Sequence, residues 1–225
     1  GERPGDGAAL RALPIRYRDV DKHRDIFRQG DRVRESCIVL SGMVARYKLA
    51  GDGRRQILSF HFPGDMPDLQ SLNLPYMDHS LTAVSPVRLG LISHDDLKPA
   101  IDRYAGVRDA VLRRTLVDCS IIREWMVNLG RRSALERMAW ALTRVYLRAE
   151  AVGMASRNRC PLPYRQQDLA DALGLSLVHT NKTLAKIRDR QLATWRESEL
   201  VVHDIDALAE LGLVDLSGPM TRPLI

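Results

Sequence analysis

The chain has 225 residues, of which 45% are hydrophobic and 28% are charged, so it can bury one large core or two smaller ones. Its 34 Lys+Arg residues exceed its 28 Asp+Glu residues, which gives a net charge of +6 and a pI of about 9.5. This balance is compatible with a polyanionic partner. The excess of arginine over lysine suits phosphate contacts, but it suits a GC-rich genome equally well.

Cysteine usage and the absence of long apolar runs argue against several protein classes. Cys37, Cys119 and Cys160 are far apart and form no CxxC or Cys/His cluster, so we expect no disulfide framework, structural zinc or iron–sulfur site. No stretch approaches the roughly 18 apolar residues of a membrane span, and the chain does not open with a signal-peptide core. Without a P-loop, GxSxG or HExxH motif, we expect no catalytic residues. We therefore expect a cytoplasmic protein that is not an enzyme, binds no metal and does not enter a membrane.

Residues 25–106 have the pattern of a β-domain, preceded by an N-terminal segment, 1–24, to which we assign no domain. Residues 43–49 and 56–62 alternate in polarity and flank a Gly-Asp-Gly turn, which predicts a hairpin. Further strands are expected at 37–40, 81–84 and 87–92. Strands at this spacing, with Gly-Asp corners, predict a small β-sandwich or β-roll.

A proline-free stretch at 107–131 predicts a long helix. Its apolar residues recur every seven positions, with others three positions later, as the a and d residues of a coiled coil do. This seam consists of Leu112, Cys119, Ile122, Met126 and Leu129. A monomer can bury such a stripe internally, but a long helix that joins two domains is more often a dimer interface, so we expect a homodimer. Ile121 and Trp125 lie beside the seam, where they are candidates for packing on the β-domain.

Residues 132–225 are predicted to form a further domain. Ser133 and Glu136 have the spacing of a capping box at the start of a helix over about 134–151, and a linker follows at 153–163. Two short helices then flank a turn, in which Gly174 suits a helix C-cap and Ser176 a helix N-cap. Two wing strands within 192–202 and a helix at 205–211 complete the domain. By itself the helix-turn-helix pattern fits an ordinary helical hairpin equally well.

The order of these elements, together with several short motifs, resembles the CRP/FNR family of bacterial transcription regulators. The motifs are Gly30-Asp31, Leu40-Ser41-Gly42, Tyr47-Lys48, residues 52–58, Pro63-Gly64-Asp65 and the helix-turn-helix from Arg165 to Leu184. The resemblance implies an α+β fold: an N-terminal double-stranded, cupin-like β-roll, a long dimerisation helix and a C-terminal winged helix-turn-helix. It also implies a sequence-specific regulator that binds double-stranded DNA as a homodimer on a palindromic operator. RNA polymerase would be a further partner of an activator.

The resemblance assigns DNA contacts to the helix-turn-helix. Base-reading positions are Leu177, Val178, Asn181 and Lys182, with His179 and Thr180 between them, and the phosphate-contact positions are Arg165, Gln167 and Ser176. The best-known members have glutamate at position 178 and arginine at position 182. Because valine cannot accept a hydrogen bond from cytosine but can contact a thymine methyl, we expect a different half-site. Packing of His179 on the first helix, or simple exposure, is as reasonable as base contact.

The candidate effector pocket departs from the cyclic-nucleotide binders of the family. Those members use a glutamate for the ribose and an arginine for the phosphate, and the matching positions here are Leu69 and His79. Ser80, Ile122 and Arg123 complete the candidate pocket. We therefore expect that the protein does not bind cyclic AMP. A regulator that has no small-molecule effector is also compatible with the sequence.

Other cofactors of the family are not supported either. An iron–sulfur member needs an N-terminal cysteine cluster, which the chain lacks, and the candidate haem ligands, His61, His79 and His94, are isolated histidines of a kind that is usually structural. Cys37 and Cys119 are candidate redox sensors, but their apolar surroundings in the sequence favour buried, inert thiols.

Two functions of other classes are compatible with parts of the sequence. A ligand-sensing, cyclic-nucleotide-binding-like module that signals through protein contacts is the alternative. The polar and cationic stretch from Leu177 to Lys182 argues against it, because protein-docking helices carry more large apolar residues. An enzyme built on a β-roll has only fold analogy behind it.

Overall fold

The structure, a computed structural model, describes residues 10–217 and divides the chain into two compact units. Unit 1 comprises the residues up to Lys48 together with Ser59–Ile122. Unit 2 comprises Leu49–Leu58 together with the residues from Arg123 onward. Residues 49–58, which form a hairpin in the β-domain sequence, therefore belong to the same unit as the C-terminal half of the chain. No local pattern in the sequence predicts this.

The β-domain has two antiparallel sheets, whose residues belong to unit 1 except for Leu49 and residues 55–58. The first has the order β1-β7-β3, with β1 at Arg16–Val20, β3 at Glu35–Ser41 and β7 at Val87–Ser93. The second has the order β2-β6-β4-β5, with β2 at Asp25–Phe27, β4 at Val44–Leu49, β5 at Arg55–His61 and β6 at Ser80–Ala83. Apolar side chains of both sheets form one core, which includes Val20, Phe27, Val39, Val44, Leu81 and Leu89. This is the predicted β-roll.

The first strand corrects a predicted boundary. β1 lies inside the predicted N-terminal segment 1–24, and it pairs with β7 from Arg16 opposite Leu91 to Val20 opposite Val87. The β-domain therefore begins before residue 25. The strand was missed because it is an edge strand whose first four residues are exposed, so its sequence shows no apolar alternation.

Two helices and a short turn of 3-10 helix at Leu69–Leu72 complete the β-domain region. Helix α1 spans His94–Arg103 and is capped by Ser93, whose hydroxyl accepts a hydrogen bond from the Asp96 amide at 3.0 Å. Helix α2 spans Ala105–Arg131, close to the predicted 107–131, and continues covalently from unit 1 into unit 2.

Unit 2 contains the remaining elements. The helices are α3 at Ala134–Ala151, α4 at Gln166–Leu173, α5 at Leu177–Asp189 and α6 at Ile205–Leu211. The capping box of α3 is present as predicted, because the Ser133 amide donates to the Glu136 carboxylate at 2.6 Å and the Ser133 hydroxyl accepts from the Glu136 amide. A three-stranded wing sheet has the order β8-β10-β9, with β8 at Arg159–Pro161, β9 at Ala193–Arg196 and β10 at Glu199–Val202.

One expectation for unit 2 was wrong. The predicted linker 153–163 contains β8, which pairs with β10 although its three residues are too few to show a period-two pattern. Within the same unit, Trp125 packs on Trp140 of α3 in an edge-to-face arrangement, with ring centroids 4.9 Å apart. The last residues of the predicted domain 132–225 and the first residues of segment 1–24 lie outside the described range.

Candidate nucleic-acid interface

The turn between α4 and α5 has the local chemistry that the sequence predicts. Gly174 ends α4 in the left-handed conformation, with φ of 63°, which a glycine adopts without steric cost. The Ser176 hydroxyl then accepts the His179 amide at 3.2 Å and caps α5. Buried apolar residues hold the two helices together, among them Leu169, Ala170, Leu173 and Ile187. The pair is therefore a fixed helix-turn-helix rather than two independent segments.

The outer face of α5 is open and cationic. Val178 is 65% exposed, and Asn181 and Lys182, three and four positions later, are exposed on the same face. Leu177 at the start of the helix is also exposed. Within residues 10–217, neither Lys182 nor Lys186 has a carboxylate partner. A surface of this kind has donors, a cation and a methyl-bearing side chain available for a ligand.

Thr180 corrects the predicted set of DNA contacts. It is fully buried, and its hydroxyl has no hydrogen-bond partner within the described residues. Thr183 and Ile187, which share its side of the helix, are also buried, so Thr180 belongs to the face that packs against the rest of unit 2. The sequence prediction included Thr180 because it lies between two base-reading positions in the sequence. Successive residues of a helix point about 100° apart, however, so Thr180 faces a different side. His179 is exposed, which excludes its packing on α4.

The two predicted phosphate-contact side chains of α4 each bind a carboxylate. Arg165 lies 3.2 Å from Asp168 through Nη2, and the Gln167 amide nitrogen donates to Asp171 at 2.7 Å. Both carboxylates are also bound by Arg55, a residue of the hairpin at 49–58. Arg55 lies in the family motif at residues 52–58, but no pattern in the sequence predicts that it contacts α4.

The charge state of Asp168 follows from these contacts. Burial raises the pKa of its carboxyl, but hydrogen bonds from Arg165 and then Arg55 outweigh burial, so the pKa lies below its ordinary value. Asp168 also accepts the Arg165 amide at 2.8 Å and so completes the N-terminus of α4. It is a permanent anion inside the helix-turn-helix.

The predicted effector residues have separate surroundings. Leu69 packs in an apolar cluster with Leu72, Ile92 and Leu97. The Ser80 hydroxyl accepts the backbone amide of Gln29 at 2.9 Å. Ile122 is 45% exposed on α2, and Arg123, which belongs to unit 2, is also exposed.

His79 is buried between aromatic and polar neighbours. Its ring is tilted against Phe27, with centroids 5.7 Å apart, and its Nδ1 lies 2.9 Å from Asp78. Burial, followed by the nearby Arg46 charge, lowers the pKa of His79 to about 4. It is a neutral side chain near pH 7, unlike the arginine that binds phosphate in cyclic-nucleotide members.

The interior of unit 1 contains its own ion pairs. Arg46 is buried and binds Asp118 of α2 at 2.6 Å and the Pro67 carbonyl at 2.6 Å. Arg114 lies 3.2 Å from the same Asp118 and 3.1 Å from Asp65. Each of these buried or half-buried charges therefore has a partner within the chain.

The cysteine expectations are confirmed in one case and wrong in another. Cys37 is buried, and desolvation, followed by the adjacent Asp68 carboxyl, raises the pKa of its thiol well above the ordinary value, which makes it inert. Cys119 is exposed, not buried. Its apolar pattern is that of the seam, and most of the seam lies on the surface of this single chain.

The seam on α2 is largely uncovered. Leu112, Ile122 and Met126 are 56%, 45% and 68% exposed, Cys119 is exposed, and Leu129 is half-buried. In the described part of the chain, no helix is long and apolar enough to cross a bilayer. The same residues contain no group of three or more His, Cys, Asp or Glu side chains arranged to hold a metal ion.

Comparisons with known proteins agree with both halves of the fold. A cyclic nucleotide-binding domain model matches residues 17–104, and a Crp-like helix-turn-helix domain model matches residues 136–211. The nitrogen fixation regulation protein FixK of Bradyrhizobium diazoefficiens is 35% identical over 189 residues, covering 81% of this chain and 76% of that protein. The transcriptional activator protein FnrL of Cereibacter sphaeroides is 25% identical and covers 90% of this chain and 82% of its own length. The solved structure of FixK2 from Bradyrhizobium japonicum has a TM-score of 0.79 at 23% identity, covering 92% of this chain and 100% of that one.

Proposed function

The chain belongs to the CRP/FNR family of transcription regulators, with a DNA-binding helix-turn-helix, and on that premise we propose that it binds a palindromic operator as a homodimer without a nucleotide effector. The observation that carries the DNA contact is the exposed face of α5, on which Val178, Asn181 and Lys182 lie together. In a helix-turn-helix this face enters the major groove. It is a regulator's binding surface, and we do not propose an enzyme.

The proposed contacts divide into two classes. Leu177, Val178, Asn181 and Lys182 would meet base edges, with His179 at their margin, while Arg165, Gln167 and Ser176 would meet phosphates. Thr180 is excluded because it is buried. Lys182 suits an acceptor such as guanine O6 or N7, and Val178 suits a thymine methyl. RNA polymerase would be a partner if the regulator activates, and a DNA partner implies the cytoplasm as the compartment.

The homodimer is supported by the uncovered seam of α2. A row of large apolar side chains spaced as a and d residues is costly to leave in water, and pairing two copies of the helix would bury it. We expect Met126→Asp to yield monomers in sedimentation and to weaken operator binding. Leu74→Asp, at an exposed leucine outside the seam, is the control and should remain dimeric. A dimer that persists in Met126→Asp would place the interface elsewhere.

Independence from cyclic AMP is supported by the side chains at the candidate pocket. His79 is neutral, Leu69 is apolar, and the nearby Arg46 is bound to Asp118 and Pro67, so none offers a free fork for a cyclic phosphate. The unmatched ligand sets for haem and an iron–sulfur cluster support the absence of those cofactors in the same way. Isothermal titration with cyclic AMP should give no heat.

The direct test is selection of bound duplexes from a random pool, followed by fluorescence anisotropy on the enriched sequence. We expect a clear preference over random duplex at moderate salt and an affinity that falls steeply as salt rises. Binding that shows no preference would refute the sequence-specific regulator. Enrichment only after a small molecule is added would refute the effector-free form of the proposal.

A further inference from the structure

We propose that Arg55 is a positioning residue for DNA binding: it binds Asp168 and Asp171 and thereby leaves Arg165 and Gln167 available to phosphates. The inference rests on the proposed phosphate contacts of those two side chains. Arg55 lies in the β4–β5 hairpin, about 110 residues before α4 in the sequence, yet both belong to unit 2.

The geometry places one guanidinium between two carboxylates on successive turns of α4. Arg55 Nη2 lies 2.5 Å from Asp168 Oδ1, and its Nε lies 2.7 Å from Asp171 Oδ2. The neighbouring Gln56 side chain donates to the Ala172 carbonyl at 3.2 Å, so the hairpin also holds the C-terminal end of the helix. The Arg55 side chain is 20% exposed, and its hydrogen bonds to both aspartates raise its pKa despite burial. The guanidinium is thus fixed and permanently charged.

Each carboxylate that Arg55 binds also binds one proposed phosphate contact. Asp168 binds Arg165, and Asp171 binds Gln167. Arg165 is half-exposed, whereas the Asp168 side chain is 1% exposed. The arginine is therefore the member of that pair that can turn towards a phosphate, while the aspartate stays inside.

The charge balance explains why the second arginine matters. If Arg165 leaves Asp168 for a phosphate, Arg55 still neutralises the buried carboxylate. Without Arg55, the departure of Arg165 would leave a buried charge without a cation, which is strongly unfavourable. Asp171 would also lose its cation and would repel the DNA backbone at close range. Arg165 would then stay with Asp168, and Arg55 would act on DNA binding without touching DNA.

The test is a cycle of four proteins: the natural chain, Arg55→Ala, Arg165→Ala and the double variant. Their affinities for the selected operator duplex are measured across a salt series. The affinity falls as salt rises, so the slope of log K against log salt is negative. We expect Arg165→Ala to make this slope less steep by about 0.9, the value of one phosphate contact. Arg55→Ala should reduce the steepness by a similar amount, and the double variant should reduce it no further than Arg165→Ala alone. Two independent losses would instead add.

Matched variants separate positioning from simple destabilisation. Arg54→Ala removes a guanidinium from the same hairpin, but Arg54 is 86% exposed and bound to Asp52, so we expect an unchanged slope. Asp171→Asn placed in the Arg55→Ala background should recover part of the affinity, because it removes an uncompensated charge. Arg55→Lys retains the cation but not the fork, and should give an intermediate slope in a folded protein.

Loss of the Arg165 phosphate contact and loss of the Arg55 role would give different results. An unchanged slope in Arg165→Ala would overturn the phosphate contact and, with it, the role of Arg55. A reduced slope in Arg165→Ala combined with an unchanged slope in folded Arg55→Ala or Arg55→Lys would overturn the role of Arg55 alone. Additive losses in the double variant would also overturn it, since Arg55 would then act independently of Arg165.

Discussion

The interior of unit 1 and the outer face of α5 use their charged side chains in opposite ways. In unit 1, Arg46 and Arg114 are bound to Asp118 and Asp65 inside the domain. On α5, Lys182 and its neighbours face outward, and no carboxylate of the described chain binds Lys182. Arginines that are already paired within the chain suit structure, whereas an exposed lysine remains available to a polyanion. The ligand-facing surface is therefore distinguished by charged side chains that have no partner among the described residues, and not by the number of its charges.

Breaking the internal pairs of unit 1 should have the largest effect on stability. We expect Arg46→Ala to lower the free energy of unfolding by about 1–3 kcal/mol, because it removes the donor to the Pro67 carbonyl and one of the two cations of Asp118, which keeps Arg114. Urea denaturation measures this. The control is Arg113→Ala, at an exposed arginine of the same unit, which should change the free energy by less than about 0.5 kcal/mol. A small effect at Arg46 would mean that the pairs are dispensable.

The pH dependence of unit 1 should reveal two buried groups that act in opposite directions. Burial raises the pKa of Asp68 from 3.8 to about 7, although its bonds to Cys37 and the charge of Arg46 oppose the rise. The folded state then holds a proton that the unfolded state has lost, so stability falls as pH rises from about 4 to 7. The pKa of His79 is lowered from 6.5 to about 4, so its contribution rises with pH between those values.

Replacing either residue should therefore reveal the contribution of the other to the pH dependence of stability. In Asp68→Asn, we expect the free energy of unfolding to rise with pH between 4 and 6.5 more steeply than in the natural chain. The slope of that free energy against pH should increase by the equivalent of up to one bound proton. His79→Gln should change in the opposite direction. Chemical denaturation at a series of pH values measures both, and His203→Gln, at an exposed histidine, is the control. Identical pH profiles in all four proteins would contradict these assignments.

On α5, the largest expected effect is on sequence preference. Lys182→Ala should lose about 1–3 kcal/mol of discrimination between the selected operator and a variant changed at the contacted base pair. Competition anisotropy measures the ratio of the two affinities. Lys98→Ala, at an exposed lysine of unit 1, should leave the ratio unchanged. An unchanged ratio in Lys182→Ala would remove Lys182 from the reading face.

The smallest expected effect tests the buried side of α5. Thr180→Val removes a buried hydroxyl that has no hydrogen-bond partner within residues 10–217 and retains the shape, so we expect a gain of up to about 1 kcal/mol in stability with unchanged DNA affinity. Thr183→Val is the matched control, because the Thr183 hydroxyl donates to the His179 carbonyl at 2.8 Å and that bond would be lost. Weaker DNA binding by Thr180→Val would restore Thr180 to the contact set.

The correct predictions all depend on short-range rules. Glycine at a helix end, serine at a helix start, the capping box at Ser133 and alternation around the Gly-Asp-Gly turn are each decided within a few residues. The sequence alone therefore determined the order of the elements apart from short strands such as β1 and β8, the helix-turn-helix and the family. It also identified the seam of α2, because a seven-residue repeat is local to one helix.

Tertiary structure alone decided what depends on distant partners. Edge strand β1 and the three-residue β8 form because β7 and β10 offer them hydrogen bonds, and Thr180 is buried because of what packs beneath α5. The two cations on Asp168 come from positions 55 and 165, and no local pattern relates them. Local chemistry determines which elements form. Which polar groups remain available for DNA is determined by contacts between residues far apart in the chain, because a charge that is both buried and bound within the protein is no longer free to bind a ligand, whereas an exposed one such as Arg165 is.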